Sequence, residues 1–222
     1  KLLNSQTVEL DSLRTGLLFS VLEVIKQNSN HKQSDLRLYE FGKSYHKGEQ
    51  GYFENKHLAI AITGKYFTQN WIQQPAESDF FHLKTVVDQM LQKLGHHAFT
   101  RTVAEGGQFD FALRYSNEET TIVTFGKVSS AICNNMDIKA PVFFADFNWD
   151  YLLERSAFHK LSYKELNKFP SIKRDLSMIV DDALTFESIE TIAEAESKKL
   201  LQEVSLFDVY KGKNIEAGKK SY

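Results

Sequence analysis

The residues best placed to do chemistry in this chain are cations standing at the ends of short apolar runs. The stretch KFPSIKRDLSMIVDD (168–182) sets Lys168, Lys173 and Arg174 ahead of an alternating apolar segment that stops at Asp181 and Asp182. Further on, Lys211, Lys213, Lys219 and Lys220 bracket a turn, and Glu187, Glu190, Glu194 and Glu196 fall between. From residue 159 onward basic and acidic residues balance, so only their segregation carries information. In a βαβ unit the start of the first strand and the end of an antiparallel second strand lie together. That layout predicts cations at one tip and acids at the other. A one-ended basic patch is what a polyphosphate backbone requires locally, whatever the net charge. Charge alone favours the plainer reading, a solvated surface.

Other chemistry is thinly represented. The chain has neither a Walker motif nor G-x-G-x-x-G, and Gly106-Gly107 lacks a following helix signal, so it reads as a turn. His96 and His97 are adjacent and cannot share a helix face as metal ligands four residues apart would. Cys133 has no histidine nearby in sequence to activate it and reads as a small buried side chain. Asp146 and Asp150 flank aromatic residues at a strand end and read as solvated termini, and no carboxylate pair stands out for acid–base work. No catalytic or metal-binding residue is assigned.

The elements that must position these residues follow from periodicity. With 222 residues, 42% of them hydrophobic, the chain can bury a sizeable core in one or two domains. Its formal charge of −2 gives no global basic field. A single cysteine excludes an internal disulfide and fits a reducing compartment. No apolar run approaches the ~20 residues that span a bilayer. The opening KLLNSQTVELD lacks a signal-peptide layout and an initiator Met, so the chain reads as a piece of a longer cytoplasmic protein with no membrane partner.

Asp11 is placed to cap a helix with the stripe Leu13, Leu17, Leu18, Val21, Leu22 and Ile25. LRLYEFGKSY predicts a strand, HKGEQGYFEN a loop, and KHLAIAITGKY an interior strand. Residues 79–94 predict an amphipathic helix on Leu83, Val87, Met90, Leu91 and Leu94, ended by Gly95. FDFALRYS, TTIVTFGKVS and PVFFADFNW predict strands, with a helical turn in SAICNNMDIKA. ERSAFHKLSYKELN reads as a connector. Beyond it, RDLSMIV predicts a strand, Thr185 caps a helix bearing Phe186, Ile189, Ile192 and Ala193, EVSLFDVYKG predicts a strand, and KKSY begins another. The last unit, on this reading, is an unfinished layer with an open sheet edge.

These segments carry a resemblance. Phe169-Pro170, Arg174-Asp175-Leu176, Leu206-Phe207-Asp208-Val209-Tyr210 and Glu216-Ala217-Gly218-Lys219-Lys220-Ser221 closely resemble, in order and spacing, the ferredoxin-like anticodon-binding domain that closes the beta subunit of bacterial phenylalanyl-tRNA synthetases. LDSLRTGLLFSVLEVIKQN, LRLYEFGKSY and GKVSSAICNNMDIKAPVFFADFNWDYL resemble that subunit's synthetase-like module. The resemblance covers nearly the whole chain and is strongest at both ends. Where many relatives have a His-Pro-Gly element, this chain has AEGGQFDFALRY.

The resemblance implies an α+β chain in three stretches. Residues 1–158 would be a noncatalytic class II synthetase-like module, an antiparallel sheet with helices. Residues 159–168 would be a linker, and 169–222 an incomplete ferredoxin-like βαβ unit. It implies that catalysis belongs to an alpha subunit in an (αβ)₂ assembly, with ATP and Mg²⁺ serving the holoenzyme and no cofactor in this fragment. It implies tRNA(Phe) as a partner, with Lys173, Arg174, Lys211, Lys213, Lys219 and Lys220 toward phosphate, and Phe169, Phe207 and Tyr210 as candidates to stack on splayed bases. Alternation along a regular strand would put Phe207 and Tyr210 on opposite faces. Arg14, Leu17 and Val21 are expected at the subunit interface. A competing reading makes the βαβ unit a small-molecule regulatory module, since the ferredoxin-like fold hosts both.

Overall fold

Two runs of alternating side chains, Leu36–Gly48 (β1) and Gly51–Thr63 (β2), pair antiparallel over their whole length, from Leu36 opposite Thr63 to Gly48 opposite Gly51. The loop expected over HKGEQGYFEN is therefore the far half of a long hairpin. Two glycines close it, and Gly51 takes φ +124°, a conformation that suits glycine because it has no Cβ. The structure is a computed structural model that describes residues 12–49, 51–67, 71–72, 74–104, 106–156, 163, 169–197, 200–212 and 215–222. The chain divides into two compact units, Lys1–Ser162 and Tyr163–Tyr222.

In the first unit the hairpin forms one side of a six-stranded antiparallel sheet. With Lys65–Phe67 as β3, Ala76–Glu77 as β4, Thr100–Ala104 as β5, Phe109–Asn117 as β6, Thr120–Val128 as β7 and Val142–Asn148 as β8, the sheet order is β1-β2-β8-β7-β6-β5. The strands β3 and β4 form a separate small pair. The central strands β2, β7 and β8 are apolar on both faces, as strands covered on both sides must be. Leu58, Ile62, Val123, Phe125, Phe143, Ala145 and Phe147 form one core with Leu83, Val87 and Leu91 of α2 (Phe80–Lys93). Alternation turns Ala59, Ala61, Val142 and Phe144 the other way, to a second core with Leu17, Leu18, Val21, Leu22 and Ile25 around α1 (Leu18–Asn30) and Cys133 of α3 (Ser130–Asn135).

The helix ends show local chemistry. Asp79 accepts a hydrogen bond from the His82 backbone N–H at 2.9 Å, while the His82 ring accepts one from the Asp79 N–H at 3.0 Å, a reciprocal cap that starts α2. Gly95, at φ +79°, follows its last turn, as expected. The first helix begins later than its apolar stripe suggests. Its N-cap is Leu17, with no side-chain cap; Leu13 lies before it and is exposed, and Asp11 is outside the described residues. A fourth helix, α4 (Trp149–Ser156), stands where the sequence suggested the end of a strand and a connector; only Leu152 of it is buried, too little for a visible stripe.

The second unit holds Ile179–Asp181 (β9), Phe186–Glu196 (α5) and Lys219–Ser221 (β10), with β9 and β10 antiparallel. Thr185 caps α5 by accepting from the Ser188 N–H. The strand expected over RDLSMIV begins only at Ile179, and EVSLFDVYKG forms no ladder apart from a single bridge between Tyr210 and Ser221. No residue of α5 is buried. Strand propensity without a neighbour to pair with leaves extended chain, not sheet.

The core of the first unit carries a test. Leu22 has no solvent exposure and sits in the α1 core. Leu22→Ala is expected to lower unfolding free energy by about 2–5 kcal/mol, read as a fall in the urea midpoint at unchanged slope.

Candidate nucleic-acid interface and a serine–histidine–aspartate chain

In the second unit the lysines divide by position relative to β9. Lys211 Nζ pairs with Asp182 Oδ1 at 2.7 Å, Lys220 Nζ donates to the Asp182 carbonyl at 2.9 Å, and Lys219 pairs with Glu216 at 2.7 Å. The segregation of lysines from acids predicted by the sequence is thus overturned. Because β10 runs antiparallel to β9 with Lys219 opposite Asp181, the turn leading into β10 comes back beside Asp182. Three of the lysines assigned to phosphate are engaged with partners in their own unit, and Lys220 is nearly buried. Lys213 lies outside the described residues. Lys173 and Arg174 precede β9, are exposed, and make no ion pair with any described residue.

The aromatic candidates differ in the same way. Phe169 is 84% exposed and Phe207 is 74% exposed, more than a core side chain tolerates. Tyr210 is half covered, with its ring lying over Gly212, where any Cβ would collide with it. With no ladder through 201–209, the expected alternation of Phe207 and Tyr210 across a regular strand does not apply. A cleft of about 480 Å³ lies between α5 and residues 201–204, lined by Thr191, Glu194, Gln202 and Glu203 among others.

Unit one holds a constellation the sequence reading missed. On the face of β2 that carries Ala59 and Ala61, His57 has a diagonal neighbour on each side: Ser44 of β1, opposite Asn55, and Asp146 of β8, opposite Ala59. The His57 Nδ1 lies 2.8 Å from Asp146 Oδ1 and its Nε2 lies 2.7 Å from Ser44 Oγ. Asp150, also read as a solvated terminus, accepts the Lys56 N–H at 2.7 Å and pairs with Lys56 Nζ at 3.5 Å. A cavity of about 540 Å³ is lined by Lys56, His57, Thr124, Asp146, Asp150 and Glu154, with other residues of β2, β7, β8 and α4. The order serine, histidine, aspartate suggests a nucleophile, but Ser44 is fully buried and both imidazole nitrogens are committed. The chain acts first as a polar tie between β1, β2 and β8. No sequence signal could have found it, since the three residues meet only through the strand register.

Leu17 and Val21, expected at a subunit interface, are buried in this chain's own core, and a buried side chain has no surface left to offer a partner. Arg14 is at the surface but tied to β1: Nη1 bonds Glu40 Oε1 at 2.6 Å, Nε donates to the Lys43 carbonyl at 3.0 Å, and the Tyr45 N–H donates to the Arg14 carbonyl. Gly42 leaves the room for this crossing, since a Cβ there would meet the Arg14 guanidinium and, at 2.8 Å, Leu17 Cδ2. Cys133 is buried, and that burial pushes its thiol pKa up. The Gly106-Gly107 pair forms a turn, both at positive φ.

The sheet with helices on both faces is an α+β arrangement of class II synthetase type. A pyrrolysyl-tRNA synthetase from Desulfitobacterium hafniense has a similar fold, with a TM-score of 0.50 and 14% identity over 65% of this chain and 50% of that one. Residues 1–149 match the family described as the phenylalanyl tRNA synthetase beta chain CLM domain, and residues 167–222 match the ferredoxin-fold anticodon binding domain. The chain belongs to the phenylalanyl-tRNA synthetase beta chain family. Phenylalanine–tRNA ligase beta subunits from Bacteroides fragilis and Bacteroides thetaiotaomicron are 38% and 39% identical across all of this chain. The beta subunit from Porphyromonas gingivalis is 37% identical. This chain spans 28–29% of the length of these relatives.

The cavity of the first unit does not suit ATP and Mg²⁺. No group of three metal-ligating side chains occurs among the described residues. The cavity of the first unit sets Lys56 against Asp146, Asp150 and Glu154, a lining that repels a polyphosphate.

The His57–Asp146 bond makes unit-one stability depend on pH. The hydrogen bond His57 donates to Asp146 is the largest influence on His57, and it raises the pKa above the ordinary 6.5 against the opposing effect of burial. A raised folded-state pKa gives stability that is fully present below the unfolded value and lost as pH rises through the folded one. The advantage of the unmodified chain over Asp146→Asn in urea midpoint is therefore expected to shrink as pH rises above the ordinary 6.5 and through the raised folded-state value. Parallel midpoint profiles for the two proteins would contradict this.

Proposed function

We propose that the chain is part of the beta subunit of a cytoplasmic phenylalanine–tRNA ligase. In this reading the first unit is a noncatalytic scaffold for the alpha subunit of an (αβ)₂ assembly. The second unit contacts the anticodon end of tRNA(Phe), while ATP and Mg²⁺ act elsewhere in the holoenzyme. The observation that carries the reading is the anticodon-binding family match over residues 167–222, within which Lys173 and Arg174 stand exposed. The buried Ser44 and the committed nitrogens of His57 leave no free nucleophile in that constellation.

The proposed RNA contact is narrower than the sequence suggested. Lys173 and Arg174 supply charge toward phosphate, and Phe169 and Phe207 supply exposed rings for unpaired bases. Lys211 and Lys219 are already in ion pairs at 2.7 Å that must be broken before either can serve a phosphate, and Lys220 is buried and donates to the Asp182 carbonyl. For the subunit contact, Arg14 is the remaining candidate of the three residues named.

The test uses the full beta subunit in complex with its alpha partner. Lys173→Ala with Arg174→Ala is expected to weaken tRNA(Phe) binding and to flatten the dependence of log K on log salt by about one unit per lost phosphate contact. Lys211→Ala is expected to act mainly on unfolding of the second unit. A double variant with an unaltered salt slope would remove the basis for the contact.

A further inference from the structure

The serine–histidine–aspartate chain has a fourth member. Ser44 Oγ also lies 3.3 Å from Nε2 of His46, two residues on along the same face of β1, and His46 is exposed. The groups therefore run in a line from solvent to the cavity wall: His46, the fully buried Ser44, His57, Asp146.

We propose that Ser44 is a proton relay between surface His46 and His57, so that charging His57 reverses both hydrogen bonds at Ser44 and switches the tautomer of His46.

The hydrogen inventory forces this. His57 Nδ1–H donates to Asp146, so a neutral His57 presents a bare Nε2 that accepts the Ser44 O–H, and His46 Nε2–H donates to Ser44 Oγ. When His57 is charged, its Nε2 carries a hydrogen and must donate to Ser44 Oγ. The Ser44 hydroxyl, sealed from water, then needs another acceptor, and His46 Nε2 is the one within reach. Transfer along the line is balanced. A solvent proton binds His46 Nδ1, the His46 Nε2 proton passes to Ser44 Oγ, and the Ser44 proton passes to His57 Nε2. His46 ends neutral with hydrogen on Nδ1, and His57 ends as imidazolium against Asp146.

The charges around His57 favour that end state. Asp146 on β8 and Asp150 on α4 draw the proton toward His57, while Arg14, on the segment ahead of α1, opposes it. Lys56 precedes His57 on β2 and is itself paired to Asp150. The Asp146 bond also raises the His57 pKa, so that as pH falls His57 charges ahead of an ordinary exposed histidine. This inference is independent of any RNA contact.

The test is a pH titration of the 222-residue chain labelled with ¹⁵N in its histidine rings, read through the ring nitrogen shifts. The expected result is that His46 changes from the Nε2–H to the Nδ1–H form with the midpoint of His57. His46→Ala, at an exposed position, should lower the His57 midpoint by about 0.5–1 pH unit because the charged state then strands the Ser44 hydroxyl. Ser44→Ala should uncouple the two rings. A His46 tautomer that does not change through the His57 titration, or a His57 midpoint unmoved in His46→Ala, would overturn the proposal; the latter readout holds even if Ser44→Ala does not fold.

Discussion

The antiparallel register of β2 between β1 and β8 is the constraint from which the first unit follows. With Ala59 opposite Asp146 and Ile60 opposite Ala145, one set of side chains turns toward α2 and the other toward α1. A slip of one residue would exchange those faces along the whole strand, putting His57 under α2 and Leu58 beside Asp146. Both cores would fail together, which is why strands covered on two sides tolerate so little ambiguity. The long hairpin adds to this, since its thirteen paired positions tie β1 to β2 in one register.

The same register explains how polar groups survive at the end of an apolar face. Ala59, Ala61, Val142 and Phe144 pack under α1, but the face runs past the helix to His57, Asp146 and Ser44. A fully buried hydroxyl without a partner costs about 1–3 kcal/mol, so Ser44 is tolerable only because a ring nitrogen reaches it. His57 in turn is oriented by Asp146. The polar chain is thus a consequence of where the helix stops covering the sheet, and its geometry gives three strands a shared interest in one imidazole.

What was legible in the sequence was what depends on local period and local capping. The α2 stripe of Leu83, Val87 and Leu91 lies as the spacing indicates, and the central strands sit where apolar runs and turn residues put them. What was not legible depends on non-local pairing. The far half of the β1–β2 hairpin is polar and glycine-flanked, so it looks like loop until its partner strand is known. The edge strand β5 is exposed at most positions and shows no alternation. Leu17 and Val21 show the limit of a stripe: an apolar face states that burial occurs, and says nothing of whether the cover is the same chain or another.

The second unit shows the same limit in electrostatic form. Reading its lysines as a cluster assumed that charges separated along the sequence separate in space. An antiparallel pair works against this, because the residues entering one strand lie beside those leaving the other; here Lys219 faces Asp181 and the preceding turn reaches Asp182. Opposite charges brought together in this way neutralise each other locally, and a phosphate approaching them gains little. Lys173 and Arg174, ahead of β9, make no ion pair with any described residue, although Asp175 follows Arg174 directly in the chain. A cation already held by a carboxylate is less available to another anion, so the lysines of the β9–β10 pair cannot be counted toward a basic patch by number alone.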